Sequence, residues 1–290
     1  CSFISRNLKQ ADYVERQSGL CELALHNFPL LGLGHIRIHN RDGVSYLQEM
    51  LPVDCLFLDP ARRDGHGGKT VAISDCEPDV TVLEPLLVDK AKKVMVKLSP
   101  MLDLSLALNE LKTVRAVHIV AVNNECKELL LILQKESVSS EVSIHCEHIA
   151  GNGESRHYTF TLKREKTSPC LLADEVGTYL YEPNAAILKA GAFRSLTQTY
   201  PVAKLHLNSH LYTSVSLVPD FPGRRFRVEA VSGFGKKELK AFLMDMDKAN
   251  ITIRNFPLSV AELRKRLKLK EGGDDYIFAT TLSGGQKVLI

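Results

Sequence analysis

Three carboxylates stand where a nucleoside could be held. Asp12-Tyr13-Val14-Glu15 reads as a short buried strand closing on Glu15. Asn40-Arg41-Asp42-Gly43 reads as a turn after a second strand, and Asp59-Pro60-Ala61-Arg62 as the corner after a third. In a doubly wound sheet, ligands bind at the carboxyl ends of the strands, near the point where strand order reverses. One carboxylate at such an end can accept both hydroxyls of a ribose, and the next can accept from an adenine amino group. Asp59 would enter the same pocket from the opposite side. Acids at successive strand ends are also common in α/β proteins, so spacing alone leaves both readings open.

These acids need a parallel sheet behind them, and the hydrophobic pattern predicts one. Leu20, Leu23, Ala24 and Phe28 give a helical stripe that Pro29 and Gly32 end. His35 to His39 alternates as a strand, Val44 to Met50 reads as a helix, and Val53 to Leu58 as a central strand buried on both faces. A helix over Val80–Lys90, a strand over Lys93–Leu98 and a helix over Leu102–Leu111 follow. Ala116–Val122 and Glu128–Leu133 read as strands joined at Asn123-Asn124, and Val142–Ile149 and His157–Leu162 as a hairpin around Asn152-Gly153. Strands alternating with helices, then hairpins, describe a doubly wound α/β sheet with an antiparallel edge.

Past Lys166 the texture changes. Pro183 is expected to start a helix reaching toward Phe193, in a linking subdomain over 167–220, and Pro219-Asp220-Phe221-Pro222-Gly223 suggests a boundary. Residues 221–290 then read as a compact βαβαββ module: a strand over Phe226–Val231, a helix over Lys237–Lys248, a strand over Ile251–Arg254, a helix opened by the capping box Ser259–Glu262, and strands over Tyr276–Thr281 and Lys287–Ile290.

Composition narrows the class. The chain has 290 residues, 44% hydrophobic and 24% charged, which excludes a disordered or collagen-like chain. No apolar run reaches the roughly 20 residues that a membrane helix needs. Seven cysteines without a C-x-x-C pair fit reduced thiols in a cytoplasm better than a disulfide framework or zinc site. Charge is uneven: Phe221–Ile290 carries 14 Lys+Arg against 8 Asp+Glu, the remainder 23 against 26. A basic end on a mildly acidic body suits a protein that handles nucleic acid, or one with solvated helix faces.

At this point a resemblance enters. Tyr13-Val-Glu15, Asn40-Arg-Asp42, Leu58-Asp-Pro-Ala-Arg-Arg63 and Val96-Lys-Leu-Ser-Pro100 resemble the motif series of class I S-adenosylmethionine-dependent methyltransferases. Asp59-Pro-Ala-Arg-Arg63, Ser74-Asp-Cys-Glu-Pro78, Asn124-Glu-Cys-Lys-Glu128 and Tyr179-Leu-Tyr-Glu-Pro183 are similar to bacterial members with a C-terminal THUMP-like domain. The resemblance implies a Rossmann-like domain over 1–166 and a THUMP-like domain over 221–290. It implies that Glu15 holds the cofactor ribose, that Asp42 with Gly43 holds the adenine, and that Asp59, Pro60 and Arg62 face the methyl acceptor. It further implies a tRNA or rRNA substrate presented by Lys236, Lys237, Arg254, Arg264, Lys265 and Arg266, with no metal.

Two departures qualify it. The family's glycine-rich loop after the first strand is missing and should lie just upstream of Cys1, so the chain is read as a fragment with a gap at the sheet centre that binds the cofactor poorly. Ala61 and Arg62 also replace the second proline and the base-stacking aromatic expected at the acceptor motif. Arginine can stack on a base or grip a phosphate, which keeps RNA as substrate. The rival readings are a noncatalytic RNA-binding protein with a degenerate cofactor site and a small-metabolite methyltransferase.

Several apparent motifs fall away. Gly68-Lys69-Thr70 lacks the preceding glycine and following helix of a phosphate loop, and Gly65, Gly67 and Gly68 read as a flap or a turn. His145-Cys146-Glu147-His148 alternates across a strand, which spoils it as a metal site.

Overall fold

The computed structural model describes residues 2–62, 72–135, 141–244 and 246–290. The Gly65/Gly67/Gly68 segment and Gly68-Lys69-Thr70 lie outside the described residues. The first part runs α1 (Ser2–Ser5), β1 (Ala11–Glu15), α2 (Ser18–Leu30), β2 (Ile36–Asn40), α3 (Gly43–Glu49), β3 (Val53–Leu58), β4 (Ala61–Arg62), β5 (Cys76–Glu77), α4 (Val80–Lys90), β6 (Ala91–Leu98) and α5 (Leu104–Glu110). It continues through β7 (Val114–Val122), β8 (Glu125–Leu133), β9 (Ser143–Ile149), β10 (Ser155–Thr161) and α6 (Leu162–Thr167). The remainder is β11 (Tyr179–Pro183), α7 (Ala185–Ala190), α8 (Leu196–Thr199), β12 (Ala203–Lys204), β13 (Tyr212–Ser214), β14 (Gly223–Arg227), α9 (Lys236–Phe242), β15 (Asn250–Arg254), α10 (Val260–Leu267), β16 (Tyr276–Thr281) and β17 (Lys287–Leu289). The fold is mixed α/β, with a six-stranded sheet ordered β10-β9-β7-β8-β6-β3. Among the described residues no helix is long and apolar enough to cross a membrane.

Two compact units are distinguished, Cys1–Arg115 with Leu131–Val138, and Ala116–Leu130 with Ser139–Ile290. In the first, β1 and β2 form a parallel pair in register Glu15↔Asn40, and β3 pairs in parallel with β6. No ladder among the described residues joins β1 to β3; they belong to separate sheets. β3 is thus not buried on both faces as its apolar run suggests, at the place where a gap at the sheet centre was also expected. Among the described residues β3 is hydrogen-bonded to a strand on one side only, and Asp54 and Cys55 are exposed. β1 is likewise only half-buried.

α2 lies over the two-stranded layer with small residues inward. Cys21 and Ala24 are buried, and Phe28 meets Tyr13 edge-on at 5.6 Å. The expected stripe of Leu20 and Leu23 points outward instead, 41% and 59% exposed, because two strands cover only a narrow face of the helix. Pro29 does not end this helix but sits in its last turn, and Gly32, at φ 72°, reverses the chain.

In the second unit, β7 and β8 meet at a two-residue turn, Asn123 and Asn124, with φ 51° and 62°. Positive φ at both central residues is the type I′ geometry that asparagine tolerates. β9 runs parallel to β7 and antiparallel to β10. Pro183 ends strand β11 rather than starting a helix, and α7 opens at Asn184, whose side chain caps Ile187 N at 3.1 Å. β11 is one of the two inner strands of the sheet β12-β13-β11-β14. β14, expected to pair within the C-terminal module, extends this sheet instead. It pairs with β11, and among the described residues the terminal sheet is β15-β16-β17. α9 also stops at Phe242, short of Lys248. Ala249, Leu263, Leu267, Ile277 and Leu289 form the core under α10.

Candidate active site

The strand-end acids are positioned by backbone. Glu15 closes β1, and its Oε1 accepts from Gln17 N at 2.8 Å, while Asn40 Nδ2 donates to Glu15 O at 3.0 Å. Asp42 caps α3: its Oδ1 accepts from Ser45 N at 2.8 Å and Ser45 Oγ at 3.0 Å. The Ser45 amide, then the Ser45 hydroxyl, hold this carboxyl below its ordinary range, with the charge of Arg16 adding to the effect. Gly43, the first helical residue, is exposed with open space where a Cβ would stand. Asp12 fixes the platform, accepting from Arg37 Nε on β2 at 2.8 Å and from Tyr46 Oη on α3 at 3.2 Å.

Asp59 follows the carboxyl end of β3. Its Oδ2 lies 2.9 Å from Lys97 Nζ on β6, and about half of its side chain remains exposed. After Pro60 the chain forms the short ribbon β4–β5, with Ala61 opposite Glu77 and Arg62 opposite Cys76. Arg16 ties this ribbon to β1, with Nη1 3.5 Å from Glu77 Oε1. As an exposed ion pair it adds little stability, but it locates the groups. One guanidinium follows Glu15 in sequence, acts on Asp42, and touches the ribbon that follows Asp59 and Pro60. Glu15, Asp42 and Asp59 each stand at or just beyond the carboxyl end of a strand and keep acceptor capacity that could serve a ligand carrying hydroxyls and an amino group.

The predicted basic residues divide into two kinds. Lys236, Lys237, Lys265 and Arg266 are exposed. Arg264 is used inside the fold, its Nη1 donating to Ala249 O at 3.1 Å and Lys270 O at 2.8 Å. Arg254 Nη2 is 2.8 Å from Oε1 of Glu182, a carboxylate whose side chain is 3% exposed. Arg224 takes the other oxygen, with Nε at 2.9 Å from Oε2. Glu182 belongs to the Tyr179–Pro183 motif, and Asn124, from another of the motifs, accepts from Ala185 N at 2.9 Å.

The comparisons with known proteins bear on both halves. A crystal structure, described as that of a "putative methyltransferase from Porphyromonas gingivalis W83", matches with TM-score 0.86 and 36% sequence identity, over 97% of this chain and 70% of that one. The chain belongs to that methyltransferase family. Within it, residues 179–222 match a ferredoxin-like domain model and residues 223–290 a THUMP domain-like model. No curated protein matches the chain.

In this methyltransferase-family chain, sequence reasoning missed Lys97 and Arg16. Lys97 lay within the quoted Val96–Pro100 motif, and its place opposite Asp59 follows from the parallel register Leu58↔Val96. Arg16 carried no signal beyond its position after Glu15. Glu182 sat in a recognised motif, but its burial depends on arginines 42 and 72 residues away.

Proposed function

We propose that the protein transfers a methyl group from S-adenosylmethionine to a nucleobase of tRNA or rRNA in the cytoplasm. The observation that supports this reading is the 36% identity, over 97% of the chain, to the protein described as a "putative methyltransferase", and the 3.5 Å Arg16–Glu77 contact between the residue after Glu15 and the ribbon after Asp59 is consistent with it. When bound, the cofactor supplies an electrophilic methyl on a sulfonium. Glu15 accepts the ribose hydroxyls, and Asp42 with Gly43 receives the adenine edge. Asp59, held by Lys97 through one oxygen, accepts a hydrogen bond from an exocyclic amino group and aims its nitrogen lone pair, with Pro60 shaping the corner. Arg62 stacks on the acceptor base or grips its phosphate. Displacement at a methyl carbon is in-line, so catalysis here is positioning.

The THUMP-like domain supports RNA as the acceptor, and its exposed Lys236, Lys237, Lys265 and Arg266 are suited to phosphate contacts that fix register without reading sequence. Incubation of the full-length protein with bulk cellular RNA and radiolabelled S-adenosylmethionine tests the reading. Label should enter RNA, and Lys265→Glu with Arg266→Glu should reduce incorporation several-fold and lower the salt dependence of RNA binding. RNA binding without label transfer would leave a noncatalytic binder. Transfer to small molecules, unaffected by the double reversal, would move the substrate away from RNA.

A further inference from the structure

β3 and β6 carry an aspartate–lysine pair at each end. At the amino ends, Asp54 Oδ1 lies 2.7 Å from Lys92 Nζ, with both side chains more than four-fifths exposed. At the carboxyl ends, the register Leu58↔Val96 puts Asp59 level with Lys97. Asp59 Oδ2 lies 2.9 Å from Lys97 Nζ, and here the side chains are only 52% and 32% exposed. The first pair is solvated, whereas the second is partly sheltered where a doubly wound sheet binds its ligands. Lys97 shares a strand face with Met95, opposite the buried Val94, Val96 and Leu98. Asp59 precedes Pro60, which has no N–H to cap a carboxylate. Asp42, by contrast, spends one oxygen on the amide and hydroxyl of Ser45.

A carboxylate only accepts hydrogen bonds, and an ammonium, with three N–H groups, only donates. Held together, Asp59 and Lys97 present an acceptor beside a donor. The complement is a base edge that sets a donor beside an acceptor. Adenine and cytosine have such an edge, with the amino group next to a bare ring nitrogen. Guanine places a ring N–H beside its amino group on the Watson–Crick edge, which would meet the lysine donor to donor. Uracil has no amino group. Enzymes that modify a base read this edge once the base has left the stack.

We propose that Lys97 determines the acceptor base: it donates to the ring nitrogen of an adenine or cytosine while Asp59 accepts from the neighbouring amino group, the group that is methylated. The proposal rests on the methyl-transfer reading above and names its substrate class. The amino lone pair forms the new N–C bond as the C–S bond breaks and leaves its electrons on sulfur. The nitrogen then sheds one proton through its hydrogen bond to Asp59 and on to water.

The test incubates the full-length protein with tritiated S-adenosylmethionine and RNA from cells lacking its gene, then digests the RNA to nucleosides for chromatography. Label should run with N6-methyladenosine or N4-methylcytidine. Lys97→Met, which keeps the apolar stem and removes the donor, should lose on the order of tenfold in kcat/KM for RNA. Its calorimetric affinity for S-adenosylmethionine should not change, and Lys97→Arg, which keeps charge and donors, should recover most of the loss. Label in guanosine, in uridine or on ribose overturns the role of Lys97 while methyl transfer to RNA stands. An unaltered kcat/KM in folded Lys97→Met does the same. The identity of the labelled nucleoside needs no variant, so it decides the matter if Lys97→Met does not fold. RNA that takes up no label removes the methyl-transfer reading and this assignment with it.

Discussion

Glu15, Asp42 and Asp59 on one side, and Glu182 on the other, are carboxylates on or just beyond strands that the protein treats in opposite ways. Asp42 and Asp59 are exposed and Glu15 is half-buried, each held by a local amide or a lysine. Glu182 is 3% exposed and clamped by Arg224 and Arg254. A buried charge survives only when paired, and its removal strands its partners. An acid left partly free with its geometry fixed has acceptor capacity to offer a ligand. Burial and partner count thus separate fold-holding acids from ligand-facing ones, although all four sit in similarly acidic, strand-associated motifs.

The largest consequence of that contrast should be in stability. Glu182→Ala is expected to cost about 3 kcal/mol, the lower end for a broken buried pair, because both guanidiniums are more than a third exposed and can reach water. Glu15→Ala should change stability by less than about 1 kcal/mol, because Glu15 is half-buried and its side chain holds only the Gln17 amide. Urea denaturation followed by circular dichroism measures both. Equal losses would erase the distinction.

A smaller effect concerns His210, whose ring stacks on Phe193 at 3.7 Å and whose buried Nδ1 has no partner among the described residues. Burial, helped by the charges of Lys204 and Arg254, pushes its pKa down to about 4. The unfolded imidazole, near ~6.5, binds protons that the folded one refuses. Stability from this group is therefore present above about 6.5 and is lost as pH falls toward 4. Because the ring is only half-buried, the loss should be no more than about 1–2 kcal/mol after solvent screening. His210→Gln should flatten that part of the stability–pH curve. An unchanged slope would show that another group titrates there.

How far the sequence reveals this molecule depends on the range of the forces involved. Local patterns located α4 over Val80–Lys90, the Asn123-Asn124 turn and the Ser259–Glu262 capping box, because each depends on residues within a few positions. The acids at Glu15, Asp42 and Asp59 were legible because strand periodicity ends beside them. The apolar run of β3 could not show its exposure, since such a run looks the same at an edge as in the middle of a sheet; only the gap that the resemblance implied pointed there. Leu20 and Leu23 misled for a related reason: the width of the layer beneath α2 is set by pairing distant in sequence. Arg254 and Arg264 looked like solvent-facing cations, and only the fold shows their guanidiniums spent on Glu182 and on backbone carbonyls. The match of β14 to β11, instead of to the terminal sheet, is likewise a tertiary choice.

Calorimetric titration of S-adenosylmethionine into the full-length protein, beside Glu15→Ala and Asp59→Ala, tests the central claim most directly. Loss of the Glu15 carboxylate should weaken binding by tenfold or more, about 1.4 kcal/mol per decade, whereas Asp59→Ala should bind normally and fail to transfer methyl. Unaltered cofactor affinity in Glu15→Ala, in a protein that still melts like wild type, would contradict the account.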